Sequence, residues 1–198
     1  MPRTGRRKGS PDTREAILAA ARDAFADRGF EGASIRGIAT SAGVDPALVH
    51  HYFGTKDQLF LDTVGVPVDP GEVIPAVLEG DREQIGARLV TMFLRVWGDP
   101  VRGPVLLAIV RSALQHDWSA RMLREFLTSQ ILRRVIAKLD VPPEEAAIRA
   151  ALTASQMIGL GIARYVVRIE PLASAEPDDI VAMVAPTVQR YLTGPLTL

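Results

Sequence analysis

The sequence predicts an all-α protein of about nine helices, with an N-terminal helix-turn-helix three-helix domain and a larger helical domain behind it. Three observations carry this. Apolar residues recur at three- and four-residue spacing along most of the chain, and no stretch with a period of two competes. Cap residues and glycines cut the first 65 residues into short helices. A stretch rich in proline and glycine, Val66 to Gly80, then separates that unit from the rest. The divisions are a basic disordered arm at 1–9, a head at 10–65 and a C-terminal domain at 66–198.

The arm carries Arg3, Arg6, Arg7 and Lys8 and no acid, and reads either as a solvated tail or as a segment that touches phosphate or a minor groove. Ser10 is placed to cap the first helix, with Pro11 at its first position and Asp12 and Glu15 at capping-box spacing. Ile17, Ala21 and Phe25 form its inner stripe, and Gly29 stops it. A short second helix starts at the cap residue Ser34, turns Ile35, Ile38, Ala39 and Ala42 inward, and ends at Gly43. Asp45 caps the third, with Pro46 at its first position and Val49 and Phe53 inward. Val44 plugs the angle between these two helices, the arrangement a helix-turn-helix requires. Gly54 and Thr55 break the third helix, and a fourth runs from about Lys56 through Leu59, Phe60 and Val64.

The proline-rich stretch leaves room for a short helix at Glu72 to Leu78. Ile85, Leu89, Phe93, Val96 and Trp97 form the next stripe, and Pro104 opens a helix containing Leu107, Val110 and Leu114. Ser119 is the expected cap of a long helix through Ile136, and Asp140 that of the following one. The body of that following helix, Ala146 to Ile169, is apolar nearly all round and so must be covered on several sides. The last helix runs from about Pro177 to Tyr191.

Composition narrows the functions. The absence of cysteine excludes disulfides, thiolate nucleophiles and cysteine-based metal sites, and fits a cytoplasmic protein. Equal numbers of basic and acidic residues argue against coating nucleic acid by bulk charge, but leave room for a locally basic reading head. Runs such as Val105 to Val110 and Met157 to Ala163 are far short of the roughly 20 residues a spanning helix needs, so no membrane partner is expected. No cofactor is expected, and no metal: His50 and His51 are neighbours on a helix and diverge, and neither has a ligand at i+4. Gly159-Leu160-Gly161 lacks the third glycine and the preceding strand of a nucleotide loop.

The stretch GFEGASIRGIATSAGVDPALVHHYFGTKDQLF at 29–60 resembles the TetR family of bacterial transcriptional regulators. The matching features are Gly29-Phe30, Arg36, Ile38-Ala39, Ala42-Gly43-Val44, Tyr52-Phe53, and Lys56 followed by Leu59-Phe60. The resemblance spans roughly residues 12–62. It implies a homodimer that binds a palindromic double-stranded DNA operator, usually as a repressor, and is released by a small-molecule effector. In such a protein the second helix of the motif enters the major groove. Pro46, Ala47 and Leu48 then offer apolar contact to thymine methyl groups, and His50 a donor to phosphate or a purine. By resemblance His51 and Tyr52 contact backbone or bases, Arg36 a base or phosphate, and Lys56 a phosphate, while Tyr52 reads equally well as core. Ser34 adds a hydroxyl toward phosphate. Leu48 departs from the family, where a Thr or Ser hydroxyl is common at this position.

The larger domain is expected to hold a pocket for an apolar or amphipathic effector. Phe93, Trp97, Ile109, Trp118, Met122, Phe126 and Met157 are wall candidates or simply core. Arg111, His116, Gln156 and Arg164 are polar residues amid apolar runs. Arg164 needs a partner: an ion pair, an interface contact or an anionic effector. The last two helices are the expected dimer face, with Gly159 and Gly161 allowing close approach. The rival reading, a helical enzyme or ligand-binding protein acting on an apolar molecule, lacks a metal spacing, a nucleophile elbow and a phosphate loop.

Overall fold

The computed structural model describes residues 11–196. The basic arm and the cap expected at Ser10 lie outside the described residues. Eleven α-segments follow in order: α1 (Pro11–Gly32), α2 (Ile35–Ala42), α3 (Pro46–Phe53), α4 (Lys56–Val64), α5 (Pro70–Leu78), α6 (Ile85–Gly98), α7 (Arg102–Gln115), α8 (Asp117–Glu125), α9 (Arg133–Ile136), α10 (Ala146–Gly161) and α11 (Pro177–Thr193). A π-helical stretch, Phe126–Leu132, joins α8 and α9 into one rod, so the chain forms ten rods where about nine were expected. No strand occurs among the described residues.

Local chemistry sets the head. Gly29 breaks α1 with φ 70° and ψ 177°, and the turn beyond it delivers Phe30 to the core. Gly43 ends α2 in the left-handed conformation (φ 67°), which costs a glycine little. The stacked and edge-on rings of Phe25, Phe30 and Phe60, with centroids 5.0–6.1 Å apart, tie α1 to α4. Ile38, Val49 and Phe53 close this core from α2 and α3.

Two expected caps fail. The rod containing α8 starts at Asp117, two residues before Ser119, which is buried instead of capping. Asp140 does not cap α10 either; its carbonyl accepts a hydrogen bond from the Arg82 guanidinium at 2.7 Å. Consecutive prolines explain the delay, because a residue before proline is pushed out of the helical region. Pro142 is accordingly extended (φ −56°, ψ 130°), and a 3₁₀ turn, Pro143–Glu145, precedes α10. The start of α7 is set by Asp99, whose carboxylate accepts from the amides of Arg102 and Val101, each at 2.8 Å. Those bonds hold its pKa below the ordinary carboxylate value.

The helix predicted to be apolar all round is covered on several sides but not enclosed, since Ile148, Ala151, Ser155, Ile158 and Gly159 remain exposed. Pro143–Val166 is long and apolar enough to cross a membrane by composition, yet it packs against α6, α9, α11 and the π-helical stretch of the α8 rod. Its buried Arg149 pairs with Glu145 and donates to the carbonyls of Tyr191 and Gly194, both at 2.9 Å, closing the C-terminal end of α11.

Helices α6 and α11 pack backbone to backbone, and Gly86 makes it possible. A Cβ there would sit 2.7 Å from the Ala185 carbonyl oxygen and the Gln189 nitrogen. The Gln189 side chain accepts from the Gly86 amide at 2.8 Å. Gly98, at the other end of α6, faces open space. Gly86→Ala should therefore destabilise the protein by about 1–3 kcal/mol in urea unfolding. Gly98→Ala should be neutral or stabilising by up to about 1 kcal/mol. Equal effects of the two substitutions would contradict this packing.

Candidate nucleic-acid interface and ligand cavity

The head presents α3 as a short helix held at both ends. Asp45 accepts from the Ala47 amide at 2.8 Å, and Ser34 and Thr55 cap α2 and α4 in the same way at 3.1 Å. The Ser34 hydroxyl is therefore already an acceptor for the Gly37 amide. Val49 and Phe53 are buried, which leaves Ala47, His50 and His51 exposed and Pro46, Leu48 and Tyr52 half-buried. Arg36 is exposed on α2.

Besides Ser34, three of the expected contact residues are already engaged. His50 Nδ1 lies 2.8 Å from the Gly54 carbonyl. A carbonyl only accepts, so Nδ1 carries the proton, and in the neutral ring Nε2 is left as an acceptor. Donation to phosphate from Nε2 requires the imidazolium. The Lys56 ammonium sits 4.5 Å from the centre of the Phe30 ring and 3.4 Å from the Glu31 carbonyl, bracing α4 against the end of α1. Tyr52 lies between the rings of His51 (5.7 Å) and Phe53 (6.1 Å).

Charge on the head is unfavourable for a polyanion. Residues 10–66 hold five basic side chains against eight acidic ones. Asp62 and Asp57 are partly neutralised, by Arg14 at 2.7 Å and by Arg134 of α9.

The larger domain encloses a cavity of about 350 Å³ between α6, α7, the α8 rod and α10. Five of the expected wall residues line it: Phe93, Trp97, Ile109, Phe126 and Met157. Trp118 and Met122 lie on α8 outside the wall. Trp118 packs beneath the Arg22 guanidinium of α1, 5.2 Å from its ring centre, and Met122 is buried. None of the polar candidates lines the cavity. Arg111 and His116 are exposed, His116 stacking on Trp118, and Gln156 is half-buried. Arg164 donates to the carbonyls of Leu172 and Ala175, holding the loop before α11. Of the alternatives open for Arg164, the structure thus shows a fourth, a backbone clamp.

Sequence reasoning missed Arg124, the one charged residue in the wall. Its signal was available: it stands four residues after Ala120 and three before Leu127, on the same face. It also missed that Val66 and Val68, just beyond α4, line the cavity.

A helix-turn-helix head joined to a helical domain around an apolar cavity defines a class, the DNA-binding transcriptional regulators. Residues 17–63 match the family described as bacterial regulatory proteins, tetR family, and residues 83–192 match the one described as Tetracyclin repressor-like, C-terminal domain. The chain is 31% identical over 188 residues to the HTH-type transcriptional regulator BetI of Agrobacterium fabrum, covering 91% of this chain and 88% of that protein. It is 41% identical over 91 residues to the HTH-type transcriptional repressor Rv3405c of Mycobacterium tuberculosis, covering 39% and 48%. Among solved structures, the TetR-family regulator SCO0857 of Streptomyces coelicolor A3 is 38% identical, with a TM-score of 0.47 and 95% and 98% of the chains covered. The chain belongs to the TetR family. It is a DNA-binding transcriptional regulator and not an enzyme.

Because α3 is held by its cap, Asp45→Ala should cost about 1 kcal/mol in thermal or urea unfolding. Asp45→Ser, which keeps an acceptor, should recover most of that loss. A silent Asp45→Ala would show that the cap does not hold the helix.

Proposed function

We propose that this regulator represses transcription as a cytoplasmic homodimer on a palindromic operator and leaves DNA when an apolar or amphipathic molecule fills the cavity. One observation carries the reading: α8 has one face in the cavity wall and another against the DNA head. Ala120, Leu123 and Leu127 face the cavity, while Trp118 of the same rod holds Arg22 of α1. Arg134, at the far end of that rod, pairs with Asp57 of α4. A ligand that displaces this wall moves α1 and α4 together, and with them the spacing of two α3 helices in a dimer.

In this reading the exposed atoms of Arg36, Ala47, His50 and His51 meet the major groove, with Pro46, Leu48 and Tyr52 at the edge. Neutral His50 offers its Nε2 acceptor to an amino group of adenine or cytosine. Ser34 and Lys56 approach the backbone while keeping their structural bonds. The acid excess of the head makes the four positive charges of the arm the main source of phosphate attraction. Deleting residues 1–9 should weaken binding and lower the salt slope by up to about 0.9 for each arm charge that meets a phosphate, without changing the preferred sequence. Selection from a random duplex pool, followed by salt titrations of both proteins, measures this. An unchanged slope would remove the arm from the account, and failure to select any palindrome would remove the operator reading.

The dimer reading rests on exposed apolar residues of the last two helices. Ile148 of α10 and Met183 of α11 are exposed, Met183 by 65%, and α10 also exposes the small residues Ala151, Ser155 and Gly159. Met183→Asp should shift the protein to monomer in sedimentation experiments and weaken operator binding. A dimer that survives both Met183→Asp and Ile148→Asp would place the interface elsewhere.

A further inference from the structure

We infer that the cavity takes an amphiphile with a single anionic head, an apolar carboxylate, and that Arg124 is the residue that selects the charge. The inference rests on the reading of this cavity as the effector site and deepens it.

The wall chemistry leaves few choices. Apart from Arg124 and the indole N–H of Trp97, the lining residues offer only aliphatic, aromatic or methionine surface, with no hydroxyl, amide or carboxylate among them. The helices around the cavity spend their backbone groups on their own hydrogen bonds. A ligand polar along its length would bury groups with nothing to bond, at a cost no apolar contact recovers. The part inside must therefore be hydrocarbon, and only one end can be polar. The cavity's 350 Å³ lies within the usual range for small-molecule sites, about 300–1,000 Å³.

Arg124 decides what that end is. It is exposed, so it stands at the rim, and among the described residues its guanidinium has no ion pair and no hydrogen bond. Two other arginines near the domain junction are engaged, Arg134 with Asp57 and Gln130 and Arg22 over Trp118, and Arg121 of α8 does not line the cavity. An unpaired planar guanidinium matches a carboxylate through two parallel hydrogen bonds. A cationic head finds no carboxylate in the wall and is repelled by Arg124. One ring face of Trp97, the strongest aromatic partner for a cation in the wall, is taken up by Tyr165, with 5.1 Å between ring centres. The position has a regulatory consequence. Arg124 lies on α8, so a head group drawn to it pulls on the helix that holds α1.

The test uses the full-length protein and three probes with the same tail: decanoate, decanol and decyltrimethylammonium, each below its micelle concentration, in isothermal titration calorimetry. Decanoate should bind about tenfold or more tighter than decanol, and the ammonium probe should bind weakest. Arg124→Gln should bring decanoate to the level of decanol and leave decanol unchanged, and Arg124→Lys should keep part of the preference. Circular dichroism checks that both variants fold. Equal binding of decanoate and decanol, or a decanoate affinity indifferent to Arg124→Gln, overturns the charge selection while leaving an apolar effector cavity standing. If none of the three binds, the inference and the cavity reading fall together.

Discussion

The double contact of α8 is the constraint on which the rest depends. Most of its residues are exposed, with only Ser119 and Met122 buried, yet Ala120, Leu123 and Arg124 line the cavity while Trp118 lies against Arg22 of α1 in the head. It cannot shift for the sake of the cavity without disturbing the head. The π-helical stretch that follows makes the rod less uniform still, since Phe126, Leu127, Ile131 and Leu132 line the cavity while the buried Gln130 is bonded to Arg134. Extra residues in a helical turn are a known way of storing an alternative register near functional sites. Val66 and Val68 add a covalent route, because the segment that leaves α4 forms part of the same wall.

The forces on either side of that helix differ in kind. The head is a small core of interlocking aromatic rings with caps at the starts of α2, α3 and α4, and its outward chemistry is sparse and on balance acidic. The larger domain is built on close backbone approach at Gly86 and on arginines, the buried Arg149 and the half-buried Arg164, that satisfy carbonyls at a helix end and a loop. The contact between them is modest: a cation–π pair, an exposed ion pair and apolar packing. Exposed ion pairs contribute about 0–1 kcal/mol at most. A joint of that strength suits a switch, since two arrangements of it differ by little.

The head was largely legible in the sequence because its elements are punctuated by local chemistry. Gly43, Asp45 and Gly54 act within a few residues of themselves, and the structure places each where its spacing put it. The larger domain was legible as helices but less so in detail. Ser119 and Asp140 looked like caps because capping is a local signal. Tertiary burial of the first and the Pro142-Pro143 pair after the second overrode it. No periodicity announces a π-helical stretch. The polar residues of the apolar runs were read as ligand contacts because their partners are backbone carbonyls far along the chain, as at Arg164, or solvent, as at Arg111. Arg124 was passed over because a charged residue on a polar helix looks ordinary until the face opposite it is known.

The measurement that bears most directly on the coupling is reciprocal linkage. A ligand that fills the cavity, with decanoate as the first probe, is titrated with and without the selected operator duplex, and the duplex is titrated with and without the ligand. If α8 joins the two sites, each partner must lower the affinity of the other by the same factor. A ligand that occupies the cavity and leaves DNA affinity unchanged would contradict the account.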